Sequence, residues 1–150
     1  MDKPAVTPSP GKDSDALCFA DERDPLQFPR LPKWKLLIVD DEEEVHVITR
    51  MVLEDLTFSG RSLSFHSVYS GLDGREFLRD NPDTAVVLLD VVMETNQAGL
   101  NLVEFIRKDL QNSLVRIILR TGQPGQAPER EVITRYDIND YKHKTELTAQ

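Results

Sequence analysis

The sequence predicts an α/β fold built on a doubly wound, parallel, five-stranded sheet, and three stretches carry that prediction. Ala85-Val86-Val87-Leu88-Leu89-Asp90 is an unbroken run, rich in valine, that stops on a carboxylate. Bounded by Asn81-Pro82-Asp83, it has the pattern of a strand buried on both faces. Lys35-Leu36-Leu37-Ile38-Val39 repeats the pattern and ends on Asp40-Asp41, and Val115-Arg116-Ile117-Ile118-Leu119-Arg120 ends on Thr121. Helical patterns with short connections separate these runs, an alternation that closes into a parallel sheet with helices on both sides. Ligands of such sheets bind outside the carboxyl ends of the strands. Asp40, Asp41, Asp90 and Thr121 therefore converge on one candidate pocket.

Taken in order, residues 1–34 stand apart. Six of the nine prolines lie there, with Gly, Ser and Asp between them, and the composition suits a flexible Pro-rich arm. Within it, 15–20 could form a short ordered patch docked by Leu26 and Phe28. After the first strand, 35–39, the acids Asp40 to Glu44 suit the positive end of a helix dipole. Val45, Ile48, Met51, Val52 and Leu56 then recur at helical spacing, which predicts a helix over 43–56. Gly60 closes that unit, and the alternation of Leu63, Phe65 and Val68 predicts a half-buried edge strand. A short helix over 72–78 stops at Asn81-Pro82.

The central strand 85–90 is followed by an irregular loop over 91–98 and a helix with a broad apolar face over 100–110. Strand 115–120 leads into a Gly- and Pro-punctuated loop to Pro128, then a helix over 128–136 with Val132 and Ile133 inward. A last strand is expected over 138–142, and 145–148 reads as the start of a helix that barely begins.

Bulk properties narrow the function. At 150 residues the chain can bury one core without disulfides or metals. A net charge of −8 argues against binding nucleic acid through its phosphates. Cys18 is the one cysteine, which excludes an internal disulfide and fits a reducing cytoplasm. No apolar stretch approaches a membrane span, and the N-terminus lacks the order of a signal peptide.

Three aspartates at one edge would repel each other unless a cation sits among them, and hard oxygen ligands suit Mg²⁺. A metal so held can neutralise a phosphate oxygen while a carboxylate attacks phosphorus. Thr121 offers a hydroxyl, and Lys142 and Lys144 are the candidate ammonium groups. His46, His66 and His143 lack metal-ligand spacing and read as structural or surface residues. Glu42, Glu43 and Glu44 read as a solvated helix start rather than ligands.

Four segments together resemble the response-regulator receiver domain of two-component signalling (CheY-like). They are Leu36-Leu37-Ile38-Val39-Asp40-Asp41-Glu42, Leu88-Leu89-Asp90-Val91-Val92-Met93, Ile118-Leu119-Arg120-Thr121-Gly122 and Asp140-Tyr141-Lys142-His143-Lys144. The resemblance spans about 35–147 and implies a (βα)5 flavodoxin-like receiver with its last helix missing or truncated. It implies Asp90 as phosphoacceptor, with Asp41 and Asp90 ligating Mg²⁺ directly, Asp40 acting through water, and the Val92 carbonyl completing the protein ligands. Thr121 would bond the phosphoryl group, Lys144 would supply the ammonium, and Tyr141 would be the switch residue that turns inward when Thr121 moves. Lys142 is then an ordinary strand-end side chain.

The segment from Thr121 to Glu131 resembles a subgroup of receivers placed N-terminal to output modules that handle cyclic di-GMP. The family reading therefore implies an excised or naturally short receiver over 35–150, not an enzyme beyond self-phosphorylation and slow self-dephosphorylation on Asp90. Its implied partners are a sensor histidine kinase or phosphotransfer protein, and an output domain absent from this chain. The face formed by 128–136 and 138–142 would relay the signal.

Three departures stand out. Thr145 replaces the family's Pro after the lysine, and Glu94 replaces the Pro after Asp-x-x-Met, placing a negative charge near the pocket. The loop from Asp90 to Gly99 is one residue longer than usual. The alternative function is a phosphorylation-independent receiver acting as a dimerisation or docking module, and Glu94 and Thr145 are its support. An aspartyl-nucleophile phosphatase is disfavoured because the position two after Asp90 is Val92, not an acid. Without a full last helix, the apolar flank beside 115–120 and 138–142 would be exposed. A homodimer, or cover by the arm around Leu17, Phe19, Leu26 and Phe28, is the expectation.

Overall fold

The computed structural model describes residues 30–122 and 129–144. Most of the expected arm, the loop 123–128 and the helix start at 145–148 lie outside the described residues. From Pro32 onward the described residues belong to one compact unit.

The elements run β1 (Trp34–Val39), α1 (Glu43–Leu53), β2 (Thr57–Phe58), β3 (Arg61–Val68), α2 (Gly71–Asp80), β4 (Thr84–Asp90), α3 (Ala98–Glu104), β5 (Arg116–Thr121), α4 (Glu129–Tyr136) and β6 (Asp140–His143). The strands form one sheet in the order β2-β3-β1-β4-β5-β6. Its five long strands are all parallel, as the βα alternation predicts. α3 continues into a π-helical turn, Phe105–Asp109, so the single helix expected over 100–110 changes pitch part-way.

Two expectations need correction at the sheet's edge. β3 is not an edge strand: it pairs with β1 on one side and with the two-residue β2, antiparallel, on the other. β2 was invisible because two residues cannot show alternation. What marks it is the turn Ser59-Gly60, where both residues have positive φ (52° and 74°), as a type I′ hairpin requires. Arg61, stacked 3.4 Å above the Trp34 ring, and the Trp34 indole, donating to the Phe58 carbonyl at 3.0 Å, hold this corner.

α1 departs from its pattern as well. It stops at Leu53, and Leu56 lies beyond it, exposed. Ile48, Met51 and Val52 face outward, Met51 being 71% exposed, while His46 and Thr49 are the buried side chains. His46, Thr49 and Leu53 fall on one stripe: His46 and Thr49 meet polar groups at the carboxyl end of the sheet, and Leu53 packs on the apolar cluster behind them. The apolar spacing was real, but the burial went to its polar neighbours.

The main core lies between the sheet and α2, α3 and α4. Leu37, Val39, Val87, Leu89, Ile117 and Leu119 meet Leu78, Leu102, Val103, Ile106 and Val132 there. On the opposite face Leu36, Ile38 and Leu88 form a smaller cluster with Leu53 of α1. Among the described residues no helix is long and apolar enough to cross a membrane.

Candidate functional site

The carboxyl ends of β1, β4, β5 and β6 place the site. Strand β1 runs buried from Leu36 to Val39 and delivers Asp40, itself buried, at its end. The Asp40 peptide N–H donates to the Val68 carbonyl at 3.2 Å, and the Asp40 carboxylate accepts the Glu42 N–H at 2.9 Å. Asp41 is exposed beside it at the mouth. Strand β4 delivers Asp90, 4% exposed, whose carboxylate lies 3.4 Å from the Val92 N–H.

Gly99 fixes the following loop from behind. A Cβ there would come within 2.1 Å of the Asp90 carbonyl, so only glycine lets α3 start this close to the end of β4. The Gly99 N–H donates to the Val91 carbonyl at 3.0 Å.

One oxygen each from Asp40, Asp41, Glu42 and Asp90 can be chosen so that all lie within 4.8 Å of one another. Lys144 reaches into this group from beyond β6. Its Nζ lies 2.9 Å from Glu42 Oε1, 3.1 Å from Asp90 Oδ2 and 3.2 Å from Asp40 Oδ2. Burial works against the ammonium charge, but Glu42, Asp40 and Asp90 outweigh it and hold the group above the usual lysine range. Burial, with the Asp40 charge beside it, pushes the Asp90 carboxyl up to about 6 despite Lys144. The pocket thus packs acids more densely than one ammonium neutralises, and its hard oxygens fit a divalent cation.

Thr121 is buried at the end of β5, and the next residue, Gly122, lies against the Lys144 stem: a Cβ on it would sit 3.6 Å from Lys144 Cδ. Tyr141 is half-buried and packs on the main core cluster. Lys142 points elsewhere, pairing with Asp140 at 3.6 Å. The residues singled out by sequence (Asp40, Asp41, Asp90, Val92, Thr121, Lys144) thus gather at one edge, with Tyr141 on the neighbouring strand.

Three residues take places their sequence signals did not predict. Glu42, read as solvated helix start, is a partner of Lys144 and a member of the acid group. Glu94 accepts the Gly71 N–H at 2.8 Å, so its charge is spent on the start of α2. Arg120, one residue before the hydroxyl, is buried and donates from Nη1 to Thr49 Oγ1 at 2.9 Å. Burial pulls its guanidinium below the usual range, and the charges of Asp40 and Asp90 act in the opposite direction. Charged residues on buried strands are rare, so Arg120 within the apolar run 115–120 carries a signal of its own.

No family model matches the chain. Over 131 residues, 87% of this chain, it is 50% identical to the 3'3'-cGAMP-specific phosphodiesterase 2 of Vibrio cholerae serotype O1 (strain ATCC 39315 / El Tor Inaba N16961). The matched region is 25% of that protein, so the chain spans about a quarter of this relative's length. Among solved structures, the N-terminal domain of a response regulator receiver protein from Methanoculleus marisnigri JR1 superposes with a TM-score of 0.58 at 26% identity, covering 73% of this chain and 83% of that one. The Mn(2+)-bound form of response regulator Rcp1 superposes with a TM-score of 0.61 at 16% identity, covering 73% and 80%.

Proposed function

We propose, from the premise that this chain is a response-regulator receiver domain, that it is a phosphorylatable switch with Asp90 as the acceptor. The observation that carries the reading is Lys144, whose Nζ is shared by Asp40, Glu42 and Asp90 at 2.9 to 3.2 Å. That arrangement puts three carboxylates within 3.2 Å of one ammonium, beside a group of hard oxygens that lie within 4.8 Å of one another.

Asp41, Asp90 and the Val92 carbonyl would hold Mg²⁺, with Asp40 acting on it through water. Bound there, Mg²⁺ supplies charge neutralisation to the incoming phosphoryl oxygens. Asp90 attacks phosphorus through a carboxylate oxygen, the bond to the donor's leaving group breaks, and the phosphoryl group stays on Asp90 as an acyl phosphate. Lys144 then balances an oxygen of the new phosphoryl group, and Thr121 donates its hydroxyl to another. Tyr141 follows Thr121 as the switch residue, and the face formed by 128–136 and 138–142 changes shape.

The donor is a sensor histidine kinase or phosphotransfer protein, in the cytoplasm. The receiver takes in Trp34, the first residue of β1, so its boundary with the N-terminal arm falls before the expected 35. The 50% identical relative supports an output of the cyclic-dinucleotide phosphodiesterase class, carried outside this stretch. The chain's own chemistry is then limited to accepting the phosphoryl group and losing it by hydrolysis. Glu94, one support of a phosphorylation-independent docking role, accepts the Gly71 N–H at 2.8 Å.

Intact-mass measurement after incubation with Mg²⁺ and acetyl phosphate tests this reading. One phosphoryl increment is expected on the wild type, and none without Mg²⁺ or on Asp90→Asn. An increment that persists on Asp90→Asn would move the acceptor elsewhere.

A further inference from the structure

The two side chains that α1 buries are both polar, and one of them ends on the acid loop. His46 is 1% exposed, and both of its ring nitrogens are bonded. Nε2 lies 2.7 Å from the backbone carbonyl of Asp40, and Nδ1 lies 2.8 Å from Ser67 Oγ. A carbonyl oxygen only accepts, so Nε2 carries a proton and donates it to the Asp40 carbonyl. Arg50 Nη2 donates to the same Ser67 oxygen at 2.8 Å, so Ser67 is itself held in place. The Tyr69 ring, 4.4 Å away centre to centre, closes one side of the imidazole. The ring is therefore fixed in orientation.

The carbonyl it grips belongs to the peptide that joins Asp40 to Asp41. The N–H of Asp40 is held from β3 by Val68, so both peptide groups around Asp40 are pinned. Resting on the cation and phosphoryl site proposed above, we infer that His46 is a positioning residue for the Asp40-Asp41 turn. Through the chain Arg50, Ser67, His46, Asp40, it sets the direction in which Asp41 leaves β1 and so aims that carboxylate at Asp90. A residue that merely fills space would influence stability alone. A positioning residue must influence cation affinity beyond its effect on stability, in the way groups that orient metal ligands do.

The test is Mg²⁺ affinity by titration calorimetry on the unphosphorylated chain, beside thermal unfolding in EDTA, for wild type, His46→Leu, His46→Gln and Ser67→Ala. His46→Leu is expected to weaken Mg²⁺ binding roughly 10- to 100-fold. His46→Gln, whose amide N–H can stand where Nε2 stands, restores most of the affinity whatever its melting temperature. Ser67→Ala falls between, because the ring keeps its bond to Asp40 but loses its anchor. A folded His46→Leu that binds like wild type overturns the inference, as does a His46→Gln no better than His46→Leu. Should His46→Leu not fold, wild-type affinity in Ser67→Ala overturns the relay. A wild type that binds no Mg²⁺ defeats the cation site itself, and this inference with it.

Discussion

The two faces of the sheet are made by alternate residues of the same strands, yet they are used differently. On the face toward α2, α3 and α4, Leu37, Val39, Val87, Leu89, Ile117 and Leu119 disappear into a cluster of fifteen buried apolar residues. On the face toward α1, the buried apolar cluster among the described residues is three, Leu36, Ile38 and Leu88. There the helix is tied down by polar groups, His46 to the Asp40 carbonyl and Thr49 to Arg120. Arg120 Nε is buried with no hydrogen-bond partner among the described residues. Beyond α1 the same face carries a groove lined by residues that include Val86, Leu88, Leu114 and Ile118. The difference teaches a division of labour: one face supplies stability, and the other holds buried polar and charged groups near the acids.

Truncations on the two faces should separate these roles most sharply. Leu102 is fully buried in the large cluster, and Leu102→Ala is expected to cost about 3 kcal/mol through lost burial and the cavity left behind. Ile118, half-buried on the α1 face, should cost about 1 kcal/mol on the same change, because solvent reaches the site. Urea denaturation reads both. Equal costs would mean that the two faces are packed alike and that the division fails.

The same division explains what was legible in the sequence. The strands of the large core announced themselves as unbroken apolar runs, and Asp40, Asp41, Asp90, Thr121 and Lys144 follow from where those runs end. The α1 face was harder to read. Val45, Ile48, Met51 and Val52 have helical spacing, but periodicity reports a stripe without saying which side of it the sheet will take. Here the sheet took the stripe of His46 and Thr49, because the carboxyl ends of the strands offer polar partners rather than apolar ones. Glu42 was hidden for a related reason: an acid at a helix start is ordinary, and only the arrival of Lys144 from 102 residues away gives it a partner.

The acid end of the α1 face should cost stability, and pH shows how much. Asp90 titrates near 6 in the folded chain against an ordinary 3.8, so its folded form holds the proton more tightly than its unfolded form. Below pH 3.8 the group is protonated in both states and contributes no penalty. As pH rises toward 6 the unfolded state ionises first, and the native state falls behind. The shift of about 2 units bounds the loss at about 3 kcal/mol, and the exchange of partners by Lys144 should reduce it to about 1–2 kcal/mol. In EDTA, Asp90→Asn is therefore expected to be more stable than wild type by about 1–2 kcal/mol at pH 7.5, with the gap closing as pH falls below 5. A mutant that is less stable at pH 7.5 would place Asp90 among the stabilising groups and erase this side of the comparison.

The smallest effect tests which way α1 faces. Met51 sits on the apolar stripe that the helical spacing marks, yet it is 71% exposed. If the stripe met the sheet, Met51→Glu would bury an unpaired carboxylate and cost several kcal/mol. With Met51 in solvent, the change should stay within about 0.5 kcal/mol. A sign is expected even so. Met51 lies in the last turn of α1, where the helix dipole disfavours an acid and favours a base, so Met51→Glu should lose about 0.3 kcal/mol and Met51→Lys gain about as much. Adding 1 M NaCl should shrink that pair of opposite shifts, since exposed charges are screened within about 3 Å at that ionic strength. A salt-insensitive loss common to both variants would instead point to an apolar contact made by Met51, and α1 would have to be turned back toward the sheet.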